Sequence, residues 1–231
     1  MNQTRSLLTA MFLVFLLCLL CASSLSAQQD IKNADLPAAV RKVADEQSRG
    51  AKFKAHQETW GDGQVNYYIE FKENGRAKGT LLNPQGNILL VAVELSLDSL
   101  PEAVRQKFQQ EIQKTTDEHG KGVTFKIYRK DIRSRKPEEY EVELIKKDYS
   151  KSVVAGPQGN ILEIDESTSL DSLPSAVRQG LLQAAGKGTI SAIDSITKHD
   201  TIIAYSAEVI AAGKHSEVQV GPDGKLLDHR E

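Results

Sequence analysis

Residues 97–106 read Leu-Asp-Ser-Leu-Pro-Glu-Ala-Val-Arg-Gln, and this stretch decides how the chain is divided. It recurs at residues 170–179 with nine of ten residues identical, and a shorter copy, Asp-Leu-Pro-Ala-Ala-Val-Arg, lies at residues 35–41. A second phrase follows each copy, with Asn-Pro-Gln-Gly-Asn-Ile-Leu at 83–89, Gly-Pro-Gln-Gly-Asn-Ile-Leu at 156–162 and Gly-Pro-Asp-Gly-Lys-Leu-Leu at 221–227. Recurrence at this period indicates tandem copies of one small supersecondary unit.

The first 27 residues have the order of a secretory signal, with Arg5, an apolar run and small residues that end at Ala27. We expect cleavage after Ala27 and export to the periplasm or the extracellular space. The apolar run is shorter than the roughly twenty residues that a membrane-spanning helix needs, so no stable membrane span is expected after cleavage. Lipid attachment at Cys21 is disfavoured, because Leu20 stands where that signal requires a small residue.

Cleavage also determines the composition of the mature chain, residues 28–231. It removes both cysteines, Cys18 and Cys21, so neither a disulfide nor a thiolate is expected to carry the function. Removal of Arg5 lowers the number of lysines and arginines from 29 to 28, against 31 acidic residues. This near balance argues against nucleic acid as a partner.

Each unit is predicted to contain one helix followed by four strands. Pro37, Pro101 and Pro174 mark the first helical turns, where a missing N–H has no helical partner to lose. Alternation of apolar and polar residues, as between Tyr67 and Phe71, indicates strands with one buried face. In the first unit we place the strands at residues 52–60, 64–72, 77–82 and 86–94.

The predicted fold class is therefore α+β, with three tandem repeats, each one helix packed on a four-stranded antiparallel sheet. The predicted domains are a signal peptide at 1–27 and repeats at 28–95, 96–168 and 169–231. The second repeat holds seven or eight extra residues between Pro101 and Gly122, about two helical turns. A unit of about 65 residues is only marginally stable by itself, so we expect the units to pack together, with a shared or curved sheet as one arrangement.

Three motifs in constant order carry a family resemblance. Leu-Pro-x-Ala-Val-Arg, then a strand with Tyr-x-x-Glu, then Gly-Pro-Asp-Gly-Lys-Leu-Leu resembles the PepSY-like repeats that are grouped with β-lactamase-inhibitor-like folds. The resemblance covers nearly the whole mature chain. It implies an exported, non-catalytic binding or inhibitory module that uses its open sheet face. No known inhibitory loop is matched, so inhibition of a lactamase or peptidase is not implied.

Three glutamates, Glu70, Glu143 and Glu208, occupy equivalent positions in the repeats, fourteen residues before Pro84, Pro157 and Pro222. A row of carboxylates on one face suits a cation or a basic peptide. Exposed cross-strand pairing with lysines is the favoured explanation, because metal sites gather their ligands within a few ångströms. No metal site is predicted.

A basic hairpin in the second repeat, residues 126–136, provides a second candidate. Its positions Arg129, Lys130, Arg133 and Arg135 could contact an anionic envelope polymer or an acidic partner. A solvated hairpin whose charges prevent edge-to-edge aggregation is the favoured reading, since Glu138 and Glu139 follow directly.

Trp60, the single tryptophan, precedes a Gly-Asp-Gly turn and is expected near Tyr68, where the two would form an exposed aromatic anchor. A tryptophan at the edge of the core explains the same pattern. The five histidines share no repeat position and have no metal-ligand spacing, and no nucleophile or phosphate-binding motif occurs. We therefore predict no enzyme activity and no cofactor.

Two functions are compatible with these features. The first is an exported binding module that engages another exported protein, as an inhibitor or an assembly factor. The alternative is a structural or sensing envelope protein that binds ions or anionic polymer through the charged second repeat. Salt dependence separates the two, because contacts with an anionic polymer weaken steeply as ionic strength rises.

Overall fold

The computed structural model describes residues 27–59, 64–133, 138–212 and 214–227. Within these ranges, twelve strands form one antiparallel sheet in which each strand pairs with the next in sequence. The strands are β1 (Ala27–Ile31), β2 (Phe53–Thr59), β3 (Val65–Glu73), β4 (Arg76–Leu82), β5 (Ile88–Leu95), β6 (Thr124–Ile132), β7 (Glu139–Lys146), β8 (Tyr149–Ala155), β9 (Ile161–Ser167), β10 (Thr189–Lys198), β11 (Thr201–Ala211) and β12 (Lys214–Val220). The helices are α1 (Ala38–Ser48), α2 (Glu102–His119) and α3 (Ser175–Ala185).

The predicted fold class is wrong, because the strands do not form three separate four-stranded sheets. The predicted order of one helix followed by four strands is present in α1 to β5 and in α2 to β9. However, β5 pairs with β6 and β9 pairs with β10, so the sheet continues from one unit to the next. Alternation of apolar and polar residues shows which face of a strand is buried, but it does not show which other strand pairs with that strand. The predicted repeat boundaries stay a prediction.

All three helices pack on one face of the sheet, which we call the outer face. The valine of each Leu-Pro-x-Ala-Val-Arg copy is fully buried against that face: Val40, Val104 and Val177. The equivalent tyrosines of the second strands lie in the same three clusters, each 8% exposed: Tyr67, Tyr140 and Tyr205. Helix α2 has 18 residues against 11 in each of the others, so the extra length of the second unit is helical.

A glycine turn after the third strand of each unit lies against the start of that unit's helix. Gly86, Gly159 and Gly224 have φ angles of +81°, +79° and +78°, which side-chain-bearing residues rarely adopt. A Cβ atom on Gly159 would lie 2.7 Å from the carbonyl oxygen of Ala103, and one on Gly224 would lie 2.1 Å from that of Ala176. In each unit, the repeated segment that contains the turn glycine is therefore in direct contact with the repeated segment that begins the helix.

The other face, which we call the inner face, carries no helix and is nevertheless largely buried. Tyr68 on β3 and Tyr128 on β6 belong to one packed cluster although two strands separate them. The Cα atoms of the first and last strands, β1 and β12, come within 8 Å of each other. The sheet therefore curls around its inner face, and the strands themselves enclose that face.

The glycine turns allow a direct test of this packing. Gly159→Ala is expected to destabilise the protein by about 2 to 4 kcal/mol, because it adds a clash with Ala103 to the cost of a positive φ. Gly75→Ala is the matched control, since Gly75 has a φ of +82° with open space around it and should lose only about 1 to 2 kcal/mol. Urea unfolding of both variants measures the difference, and equal losses would contradict the contact.

Candidate binding surface at one end of the inner face

The inner face has a mainly polar lining. Because strand residues alternate between faces, the side chains that share the face of Tyr68 can be read from the register of each ladder. Those that are at least nine-tenths buried include many polar groups: Glu58, Asn66, Lys130, Glu141, Glu143, Ser152, Ser206, Glu217 and Gln219. By contrast, the buried residues under the helices are mainly apolar.

One ion pair lies at the centre of the second unit. Lys130 on β6 contacts Glu141 on β7, and both side chains are only 1% exposed. The hydroxyl of Ser152 on β8 donates a hydrogen bond to the other carboxylate oxygen of Glu141. The expectation that Lys130 belongs to a solvated basic patch is therefore wrong, since this lysine is part of the interior.

The third unit repeats the hydrogen bond between serine and glutamate with the residue types exchanged. Ser206 on β11 and Glu217 on β12 occupy the positions of Glu141 and Ser152, and the Ser206 hydroxyl donates to Glu217. The side-chain amide of Gln219 donates to the same Glu217 oxygen at 3.1 Å. A serine and a glutamate therefore face each other in both units, from opposite strands.

In the first unit an aromatic ring takes the place of this polar pair. Tyr68 lies over Gly79 of β4, where a Cβ atom would come within 1.8 Å of the tyrosine oxygen. Burial raises the pKa of Tyr68 well above its ordinary value, and the nearby carboxylates of Glu70 and Glu143 raise it further. Tyr68 is only 4% exposed, so the expected exposed aromatic anchor is wrong at this residue. Trp60 lies outside the described residues.

Three glutamates mark one end of the inner face, and we call Glu70, Glu143 and Glu208 the glutamate rim. Glu70 lies directly opposite Lys54, and Glu143 lies directly opposite Lys126, both lysines being exposed. Burial and the neighbouring Glu141 raise the pKa of Glu143, while Lys130 and Lys126 lower it. Lysines thus lie opposite the glutamates of the first two units, but the expectation that these glutamates are exposed is wrong for Glu143, which is only 7% exposed.

The third unit departs from that pattern. Glu208 lies opposite Ala192 on one side and Glu217 on the other, and accepts a hydrogen bond of 2.9 Å from the hydroxyl of Ser191. One layer deeper, burial and the charge of Glu208 raise the pKa of Asp194 to about 6. Among the described residues, no cation lies within ion-pair distance of Asp194. Glu208 therefore differs from Glu70 and Glu143, because neither residue directly opposite it in the two ladders is a lysine.

The basic hairpin is divided between the two faces of the sheet. Arg129 is exposed on the outer face, directly opposite Tyr140. Arg133 is about half exposed, and its guanidinium lies 3.4 Å from Asp131. Arg135 lies outside the described residues. Because Lys130 points inward and Arg129 outward, these two residues do not belong to one patch.

Other kinds of site find no support in the described part of the chain. It contains no group of three or more histidine, aspartate and glutamate side chains placed to hold a metal ion. It also contains no helix that is both long enough and apolar enough to cross a membrane.

Sequence reasoning missed Asp194, Lys198 and Glu217. The signal that could have found them is the alternation of residues along each strand. On β10, Asp194, Ile196 and Lys198 share one face. On β12, Glu217 and Gln219 share one face. Lys198 pairs with Glu163 of β9 at 3.4 Å, and that contact depends on the β9 to β10 ladder between units. A prediction made for each unit by itself does not include the pairing of β9 with β10, and therefore does not include the ion pair between Lys198 and Glu163.

Comparison with known proteins gives a partial structural likeness. No protein-family profile matches the chain, and no curated protein matches it. A DUF2874 family protein from Bacteroides ovatus is 19% identical over 56% of this chain and 86% of its own, with a TM-score of 0.41. A BLIP-like protein from Bacteroides fragilis is 19% identical over 58% and 88%, with a TM-score of 0.41.

A Bacteroides eggerthii protein for which a periplasmic location has been proposed is 15% identical over 57% of this chain and 88% of its own, with a TM-score of 0.43. At these identities and TM-scores the likeness supplies no argument about function.

Two adjacent residues of β6 test the buried ion pair. Lys130→Met is expected to cost about 3 to 5 kcal/mol of stability, because it leaves Glu141 charged and buried. Arg129→Met, one residue away on the exposed outer face, should change stability by about 0.5 kcal/mol or less. Adding Glu141→Gln to Lys130→Met should recover part of the loss. Urea unfolding measures all three, and similar values for Lys130→Met and Arg129→Met would contradict the assignment.

Asp194 gives a prediction about pH. The folded protein holds the Asp194 proton up to about pH 6, whereas the ordinary pKa is 3.8, so this residue lowers stability as pH rises between those values. Asp194→Asn should therefore raise the melting temperature at pH 7.5 and change it little at pH 3.5. Thermal unfolding of both proteins at the two pH values provides the measurement. A gain that does not depend on pH would show that Asp194 titrates normally.

Proposed function

We propose that the protein is an exported, non-catalytic binding module that engages another envelope or secreted protein. The signal-like first 27 residues and the cysteine-free mature chain support export and a role without thiol chemistry. The resemblance to PepSY-like repeats supports a binding role. A partner held as an inhibitor target and a partner held for assembly both fit this proposal.

The contact surface that we propose is the part of the glutamate rim formed by Glu70 and Glu208, rather than the sheet face as a whole, since Glu143 is only 7% exposed. Most of the inner face is buried by the curl of the sheet and by its own hydrogen bonds and ion pairs. The end of the sheet that carries the rim remains open to solvent, since Lys54, Lys126 and Ala192 are all exposed there. A partner can reach this end without opening the sheet.

The observation that carries the proposal is that the residues opposite the rim glutamates change from unit to unit. Lysines face the glutamates of the first two units, whereas Glu208 faces Ala192 and Glu217 and raises the pKa of Asp194. A partner with a basic segment matches this surface.

The alternative, binding of anionic polymer by the second repeat, has weaker support. Lys130 is paired with Glu141 inside the protein, and Arg133 lies beside Asp131. Arg129 and Arg133 are the exposed members of this set among the described residues. Two exposed arginines, one of them beside an aspartate, provide little of the charge that polymer binding requires.

Affinity capture by residues 28–231 from envelope and secreted fractions tests the proposal. We expect one protein to be enriched at both low and moderate salt, and Glu208→Lys to bind it about tenfold more weakly, equivalent to about 1.4 kcal/mol. Glu46→Gln, which removes an exposed charge from α1, is the control and should bind like the natural protein. Assaying the captured partner with and without bound protein then separates inhibition from assembly.

Two results would contradict this surface. Equal capture by the natural protein and by folded Glu208→Lys would exclude the rim of the third unit. Capture of salt-labile anionic material alone, with loss of binding in Arg129→Ala, would favour the polymer alternative.

A further inference from the structure

One surface residue recurs in all three helices although most other positions differ. Helices α1 and α3 both have 11 residues, and only three positions are identical between them, an alanine, a valine and an arginine. Helix α2 has the same three residue types at the equivalent positions. The alanine lies against the glycine turn and the valine is buried under the helix, so both have a packing role. The arginines lie partly or fully exposed at the surface: Arg41, Arg105 and Arg178.

The second unit shows what this arginine holds. Glu102 is the first residue of α2, three positions before Arg105. Arg105 donates hydrogen bonds to one carboxylate oxygen of Glu102 from Nε, at 3.1 Å, and from a terminal nitrogen. The side-chain amide of Gln106 donates to the other oxygen at 2.6 Å. The hydrogen bonds from Arg105 and Gln106 lower the pKa of Glu102. We call the two donors at these helix positions a carboxylate cradle.

The cradle recurs in the other two units without its carboxylate. Two donors again occupy the fourth and fifth helix positions: Arg178 and Gln179 in α3, and Arg41 and Lys42 in α1. Ser175 and Ala38 stand at the position of Glu102, so neither helix supplies an acidic group there. Among the described residues, Glu102 is the only carboxylate that forms an ion pair with one of the three repeated arginines.

We propose that the cradles of α1 and α3 bind carboxylate side chains from an acidic segment of a partner protein. Arginine suits this role because its planar guanidinium presents a fixed fork of N–H donors to a carboxylate. The occupant in the second unit is a glutamate side chain, which is why the partner is assigned as protein. This proposal is independent of the proposed function, because the glutamate rim lies on the inner face and matches a basic segment.

The helices present the cradles at regular intervals on the outer face. Helices α1, α2 and α3 lie over β3, β7 and β11, so neighbouring helices are four strands apart. At about 4.8 Å between strands, this separation is roughly 19 Å along the sheet. Because the cradles are at the surface, each one should change the affinity for an acidic segment by only about two- to fivefold.

Filling one cradle and emptying another test the proposal in opposite directions. The probe is a synthetic peptide of ten glutamates, titrated into residues 28–231 at low salt. Ser175→Glu gives α3 the acidic first residue that α2 has, and should weaken binding about threefold because the new carboxylate occupies Arg178. Glu102→Ala frees Arg105 and should strengthen binding about threefold.

Each variant has a control with the same change of charge on the same helix. Gln183→Glu adds an exposed acid to α3, and Glu118→Ala removes one from α2, both away from the cradles. These controls should change the affinity by less than half as much as Ser175→Glu and Glu102→Ala do. Equal effects of Ser175→Glu and Gln183→Glu would show that the peptide responds to overall charge, and would overturn the proposal.

The arginine side chains provide a direct readout by NMR. On addition of the peptide, the Nε–H signals of Arg41 and Arg178 should shift, whereas that of Arg129, exposed elsewhere on the outer face, should not. In Ser175→Glu the Arg178 signal should stay where it is when the peptide is added. This titration of the natural protein decides the question even where a variant fails to fold. Equal shifts at Arg129, or none at Arg41 and Arg178, would contradict the assignment.

Heparin separates an acidic protein segment from an anionic polymer as the occupant. Heparin carries sulfate groups as well as carboxylates at high density, so it tests whether the cradles respond to polyanions in general. We expect the glutamate peptide to shift Arg41 and Arg178 at least as strongly as heparin at equal charge concentration. Shifts at these arginines with heparin alone would overturn the assignment to a protein segment.

Discussion

The close contact between each turn glycine and the first turn of a helix is the constraint on which the rest of the structure depends. Gly86, Gly159 and Gly224 each bring the chain against a backbone carbonyl with no room for a side chain. The contact places every helix on the same outer face and at the same position along its unit. Once each helix is in this position, its repeated valine and the repeated tyrosine of the sheet are buried in the same cluster. Packing at close range leaves few alternative arrangements, so one short phrase can be reused three times.

Helices on one side leave the sheet to bury its other face by curvature. The inner face does so around charged and hydroxyl groups, which lose hydration and must find partners within the protein. Lys130 pairs with Glu141, and a serine faces a glutamate in both the second and third units. Such pairs contribute little net stability compared with apolar packing, but a wrong register would leave them unpaired. The polar interior is therefore well suited to holding the strands in a single register.

Local features could be predicted from residues alone, and contacts between units could not. The strands of the first unit lie within two residues of their expected positions, and the extra turns of α2 follow from the spacing of Pro101 and Gly122. Alternation also places the glutamate rim on the face opposite the packed tyrosines. The ion pair of Lys130 with Glu141 and the raised pKa of Asp194 depend on neighbouring strands. A sequence pattern involves residues that are near one another in the chain, whereas burial and ion pairing depend on the residues of the neighbouring strands.

By itself, the sequence determined the order of one helix and four strands in the first two units, the glycine turns and the alternation of side chains between the two faces of each strand. These features arise from interactions within a few residues or from the two-residue period of a strand. Only the tertiary structure decided that the units share one sheet, that this sheet curls until β1 approaches β12, and that its inner face is closed. The physical reason is that strand edges offer the same N–H and C=O groups whatever their side chains, so their partners are chosen by the packing of the whole chain.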